Sequence, residues 1–107
     1  MKPRRDATRE AILEQIRSLV IPLGVRRISL FGSFARCDDS PGSDIDILVE
    51  LKPQAQRPVL GFRWFGLNEE LSAALGRPVE VLSERSLSDR FRKKIQNDLQ
   101  VIYEETG

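Results

Sequence analysis

Apolar residues recur along this chain with two different periods, and the switching between them predicts helices alternating with short strands. Ala11, Ile12, Ile16, Leu19 and Val20 fall at helical spacing, which predicts a first helix capped by Asp6 or Thr8 and stopped by Pro22 and Gly24. A strand from Val25 or Arg26 to Phe31 follows and ends at Gly32-Ser33. Turn chemistry at Ser40-Pro41-Gly42-Ser43 delivers the chain to a second strand beginning at Asp44, in which acids first alternate with isoleucines. Lys52 to Pro58 reads as a surface connection. Gly61 to Leu75 carries a helical stripe of Phe62, Phe65, Leu67, Leu71, Ala74 and Leu75 that ends at Gly76, with Trp64 as a packing or interface residue. Arg77 to Leu82 is a short strand whose apolar pattern is interrupted by Glu80. Leu87, Phe91, Ile95 and Leu99, each four residues apart, predict a last helix capped by Ser86 or Ser88, with Arg90, Arg92, Lys93 and Lys94 on its solvated sides. Val101-Ile102-Tyr103 closes the sheet. The expected fold class is α/β: a two-layer domain with a small mixed sheet, helices packed mainly on one face, and the Gly32 to Asp46 segment at one sheet edge.

The chemistry concentrates between Ile28 and Leu51. Side chains on a strand point alternately to opposite faces, so Asp44 and Asp46 share one face and Ile45 and Ile47 the other. Two carboxylates about 7 Å apart along one strand repel each other, and no basic residue stands between them. A bound cation removes that penalty, and Asp oxygens suit magnesium, which takes one or two protein carboxylates and completes its shell with water and phosphate oxygens. Gly32-Ser33 supplies the phosphate side of such a site. Glycine permits a tight turn and close approach, and the serine hydroxyl with the N–H groups of a short helix at Phe34-Ala35-Arg36 can hold phosphate oxygens. Arg36 reaches toward a triphosphate from that first turn, and Ser43 is either a phosphate contact or a turn hydroxyl with local bonds. Asp38 and Asp39 are expected to face solvent.

Composition narrows the alternatives. A length of 107 residues suits one domain, residues 1–107, with no separate substrate-binding domain. The formal net charge of +1 argues against direct nucleic-acid binding and template-directed polymerisation. No apolar run is long enough to span a membrane and no signal-peptide core follows the first residues, so a cytoplasmic location is expected. Cys37 is the one cysteine and there is no histidine, so internal disulfides, zinc sites and Ser-His or Cys-His nucleophiles are excluded. Catalysis must rest on carboxylates and metal.

Gly32, Ser33, Asp44 and Asp46 satisfy the pattern GSx10DxD without a gap, and through it the chain resembles the minimal nucleotidyltransferases of the DNA polymerase β-like superfamily, the small partners of HEPN-domain toxins. The resemblance covers nearly the whole chain. It implies magnesium-dependent transfer of AMP from ATP to a hydroxyl, a tyrosine, of a HEPN ribonuclease toxin, which would make this chain an antitoxin. It also implies that Gly32 and Ser33 hold phosphates and that Asp44 and Asp46 form the metal-ligating catalytic pair with two magnesium ions. Ala35-Arg36 matches the family's Ala-Arg. Glu80 occupies the place of a third catalytic and metal-binding carboxylate, more often Asp in the family. The next family position is usually Gly but is Cys37 here, which suggests a less constrained backbone. Two other readings stand beside this one: a homodimeric small-molecule nucleotidyltransferase, and an antitoxin that acts by binding alone.

Overall fold

The strands β1 (Val25–Phe31), β2 (Ile45–Leu51), β3 (Val79–Ser83) and β4 (Gln100–Glu104) form one sheet in the order β3-β2-β1-β4. β1 runs antiparallel to both β2 and β4, whereas β2 and β3 are parallel. The structure, a computed structural model, describes residues 2–40 and 42–105, with side chains from Thr8 onward; Pro41 of the expected turn and the Asp6 side chain expected as a cap lie outside these. The helices are α1 (Lys2–Val20), α2 (Gly32–Arg36), α3 (Arg63–Leu75) and α4 (Asp89–Ile95). Because α1 begins at Lys2, Thr8 falls inside it and does not cap it. A 3-10 turn at Ile21–Leu23 with Pro22 in its first positions, closed by Gly24 at φ 89°, ends the helix as the Pro-Gly signal requires.

Alternation along the strands decides the two faces of the sheet. Ile28 and Leu30 of β1, Ile45, Ile47 and Val49 of β2, and Val79 and Val81 of β3 join Leu13, Ile16 and Val20 of α1 and Leu67 and Leu71 of α3 in one buried cluster. Full burial of each such side chain contributes roughly 1.5–3 kcal/mol. On the opposite face the cluster is small: Phe31, Leu48 and Ile95, with Leu82, Leu87 and Phe91 against it, so that α4 covers part of that face only. A mixed sheet with helices mainly on one face is the architecture expected. The motif strands, however, are the two central ones, not an edge. β2 buries Ile45, Ile47, Leu48 and Val49, and a strand apolar on both faces has to be flanked on both sides.

The edges are β3 and β4, and α3 blunts the first of them. Ser72 Oγ accepts from the Val79 N–H and Asn68 Oδ1 from the Val81 N–H, each at 2.9 Å, so backbone donors that would invite another strand are already satisfied. The α3 stripe differs from expectation. Leu67 and Leu71 are buried and Trp64 and Leu75 pack beside them, but Phe62 and Phe65 are exposed and Ala74 also faces solvent. Trp64, Leu67, Leu71 and Leu75 follow one face of a 3.6-residue helix, whereas Phe62 precedes the helix and Phe65 points off that face. Trp64 therefore packs as expected. The last helix is also shorter than its four-residue repeat suggests: α4 stops at Ile95, and Leu99 lies beyond it with 38% of its surface exposed. Ser88, one of the two expected caps, accepts from the Phe91 N–H at 3.1 Å.

Candidate active site

β1 ends where the site begins. At Gly32 the backbone turns into α2 with φ 78°, a conformation glycine adopts without penalty, and a Cβ there would lie 2.5 Å from Asp46 Oδ2. The missing side chain thus lets the Asp46 carboxylate rest against the turn, because Phe31 and Asp46 are register partners across β1 and β2. The short helix opens at Gly32, two residues earlier than its sequence suggests, so Ser33 lies in its first turn.

The parallel pairing of β2 with β3 sets Asp46 opposite Glu80. Both point away from the main core, Asp46 half-buried and Glu80 exposed. The Asp46 carboxyl is raised above its ordinary 3.8, first by burial and then by the negative charges of Glu80 and Asp44. Asp44 stands one residue before β2, exposed, close enough to add to that repulsion. Among the described residues no arginine or lysine forms an ion pair with Asp44, Asp46 or Glu80, and no three acidic, histidine or cysteine side chains converge into a closed cation cage. An uncompensated carboxylate pair on an open face fits the one or two protein ligands that magnesium takes when phosphate oxygens and water complete its shell.

A cleft of about 310 Å³ adjoins this pair, lined by Phe31, Gly32, Arg36, Asp46, Glu80, Phe91, Lys94, Ile95 and Asp98. It brings together four of the expected site residues, Gly32, Arg36, Asp46 and Glu80; Ser33, Ser43 and Asp44 do not line it. Arg36 is steered by two carboxylates, donating from Nη1 to Asp98 Oδ2 at 2.8 Å and from Nε to Asp38 Oδ2 at 3.1 Å. The Ser43 hydroxyl takes the turn role: it accepts from the Ser40 N–H at 3.0 Å and lies 2.9 Å from the Ser40 hydroxyl. A second hollow, of about 360 Å³, lies between Arg26, Glu50, Ser83 and Arg92, but it contains none of the expected site residues and its carboxylates Glu50 and Glu84 already pair with Arg27 and Arg92.

Three details depart from the sequence reading. Asp39 does not face solvent; it is half-buried and ion-paired with Arg77 at 2.9 Å. Cys37 does not loosen the backbone. It ends α2 in the left-handed conformation at φ 64°, the geometry glycine favours, so the constraint persists and cysteine bears it. Lys94, read as part of a solvated helix side, lines the cleft and has no ion-pair partner among the described residues. Its place on α4 between Phe91 and Ile95 is the signal that was available, since those two side chains had to face the sheet.

Residues 14–106 match the family described as Polymerase beta, Nucleotidyltransferase. A protein of Methanocaldococcus jannaschii, provisionally named a protein adenylyltransferase, is 36% identical over 90 residues, covering 80% of this chain and 92% of the relative. The protein adenylyltransferase MntA of Thermococcus cleftensis is 35% identical over 80 residues, covering 75% of each chain. Among solved structures, a Shewanella oneidensis complex of a tri-AMPylated HEPN toxin with an MNT antitoxin contains a chain that superposes with a TM-score of 0.69 at 20% identity, covering 91% of this chain and 73% of that one.

Proposed function

This chain belongs to the polymerase beta nucleotidyltransferase family, and from that premise we propose that it transfers AMP from ATP to a tyrosine hydroxyl of a HEPN ribonuclease partner and so acts as its antitoxin. The observation that carries the reading is the Asp46–Glu80 register pair, uncompensated by any basic side chain among the described residues and set against the Gly32 turn. The names of the two curated relatives support protein as the acceptor class. Residues 1–107 act in this reading as one domain, and the acceptor hydroxyl comes from the partner.

Asp44, Asp46 and Glu80 would hold magnesium. Bound there, magnesium supplies charge neutralisation at the triphosphate and lowers the pKa of the acceptor hydroxyl. Gly32, whose missing side chain leaves room for the Asp46 carboxylate, and Ser33 with the first N–H groups of α2 would hold phosphate oxygens. The acceptor oxygen forms a bond to the α-phosphorus as the bond to the pyrophosphate oxygen breaks, and the hydroxyl proton passes to the Glu80 carboxylate, the exposed member of the pair. Arg36, held by Asp98 and Asp38, and Lys94 face the departing pyrophosphate with positive charge.

The test is incubation with ATP, magnesium and the product of the adjacent gene, where a HEPN partner is expected, followed by mass measurement of both proteins. One or more AMP increments on the HEPN chain are expected. Their absence with the wild-type chain, or their persistence when Asp44 and Asp46 are both replaced by Ala, rejects the reading.

A further inference from the structure

Arg77 lies two residues before β3 and joins three separate parts of the site. Its Nε and Nη2 both donate to the Ser43 carbonyl, at 3.2 and 2.8 Å. Nη2 also donates to Asp39 Oδ2 at 2.9 Å and to the Ser40 carbonyl at 3.3 Å. The guanidinium carbon sits 5.2 Å from the centre of the Phe34 ring in α2. Only 13% of the Arg77 side chain and 14% of the Asp39 side chain are exposed, so this pair is not of the solvent-screened kind that contributes little.

The positions of these contacts matter more than their number. The Ser43 carbonyl belongs to the peptide that leads into Asp44. Phe34 follows Ser33 directly, and Arg77 itself stands three residues before Glu80. The segment between α2 and β2 has other ties: Ser43 N–H to the Ser40 carbonyl and Ser40 N–H to the Ser43 hydroxyl close within it. Just beyond it the Ile45 N–H donates to the Pro78 carbonyl at 2.9 Å, and Arg77 is the side chain that holds the Ser43 end from outside. The bonds to α2, from the Cys37 N–H to the Phe34 carbonyl, from the Asp38 N–H to the Ser33 carbonyl and from Arg36 to the Asp38 carboxylate, hold only its start.

We infer that Arg77 is a positioning residue whose forked grip on the Ser43 carbonyl and Asp39 fixes Asp44 relative to Asp46 and Glu80. The inference rests on the nucleotidyl-transfer reading of the site. A planar guanidinium places two N–H groups on one carbonyl while reaching a carboxylate; a lysine ammonium keeps the charge but not the fork. A role in charge balance or general stability would therefore survive Arg77→Lys, and a positioning role would not.

Wild type, Arg77→Lys and Asp39→Asn are compared in two measurements on the full chain. In amide hydrogen exchange, Arg77→Lys should speed exchange at Ser43 about tenfold while Ile47 and Val49 in the middle of β2 keep their protection, which controls for global unfolding. In AMP transfer to the HEPN protein, Arg77→Lys should lower kcat about tenfold to a hundredfold with the KM for ATP nearly unchanged, since misplacement of one ligand by about 1 Å has effects of that order. Asp39→Asn, which leaves the Ser43 carbonyl held, should lose less. Unchanged exchange at Ser43 in Arg77→Lys overturns the inference, as does a wild-type kcat or a rise in KM alone. If the wild-type chain transfers no AMP, the nucleotidyl-transfer reading fails by itself, and the exchange comparison still decides whether Arg77 holds the loop.

Discussion

The two faces of the sheet are built from the same strands and obey different demands. On the α1/α3 face, β2 contributes Ile45, Ile47 and Val49, all fully buried in a continuous apolar cluster. On the other face the same strand contributes Asp46, Leu48 and Glu50, and only Leu48 is buried, under α4. Alternation by single residues thus separates stability from chemistry within seven residues of chain. The covered face tolerates no charge. The uncovered face keeps two adjacent carboxylates that destabilise each other, an arrangement that makes sense where a cation and a polyphosphate are to be received.

Substitutions on the two faces should separate these demands. The largest effect is expected for Asp46→Asn, which on the proposed reading removes a charge that would hold magnesium and should reduce AMP transfer by about a thousandfold, the upper range for loss of one group that stabilises the transition state. The same substitution should raise thermal stability. The folded Asp46 carboxyl is raised above 3.8 by burial, Glu80 and Asp44, so in the pH window between the unfolded and the folded value the folded state holds a proton that the unfolded state has released. Its contribution to stability accordingly falls as pH rises from the unfolded value through the raised folded one, and at neutral pH the carboxylate is a net cost. Melting curves of both proteins at pH 7 and below pH 4 check the sign: the variant's advantage should be present at pH 7 and shrink on acidification. Equal melting temperatures at pH 7 would remove the contrast between the faces.

Ile47→Ala, the next residue along β2 but on the covered face, should do the reverse. A buried isoleucine truncated to alanine costs about 2–5 kcal/mol, measurable by urea unfolding, while the ATP KM of the molecules that remain folded should hold. A smaller effect is expected in the cleft at Lys94→Met. Losing one exposed charge from the cleft proposed to receive the pyrophosphate should raise the KM for ATP and weaken inhibition by inorganic pyrophosphate by about fivefold, or roughly 1 kcal/mol, without lowering the melting temperature. Smallest is Cys37→Gly. Relief of the left-handed cysteine at φ 64°, offset by the greater freedom of glycine in the unfolded chain, should stabilise by about 0.5–1 kcal/mol in the same urea experiment.

Much of the architecture is legible in the sequence because it depends on local period. The alternation of acid and isoleucine in β2, the Pro22 and Gly24 stop, the Gly76 end of α3 and the Ser88 cap all act within a few residues, and all appear in the fold. Phe62, Phe65 and Leu99 depart from the sequence pattern because several local patterns fit there and packing chooses between them. Phe62 and Phe65 were apolar enough for a core stripe, yet Trp64, Leu67, Leu71 and Leu75 occupy the face that meets the sheet. A four-residue repeat reached Leu99, yet α4 ended after Ile95 had filled the space beside Phe31 and Leu48.

Residue order alone determined that Asp44 and Asp46 follow a glycine-serine turn at a fixed interval, and that Asp46 shares no face with Ile45 or Ile47, since strand geometry leaves no other choice. It did not determine that Glu80 would stand opposite Asp46, that Lys94 and Asp98 would line the cleft, or that Arg77 would grip the Ser43 carbonyl. Those juxtapositions join residues more than thirty positions apart. They exist only once the parallel register of β2 and β3 is set and α4 has settled on the second face, because side chains distant along the chain meet through packing and not through period.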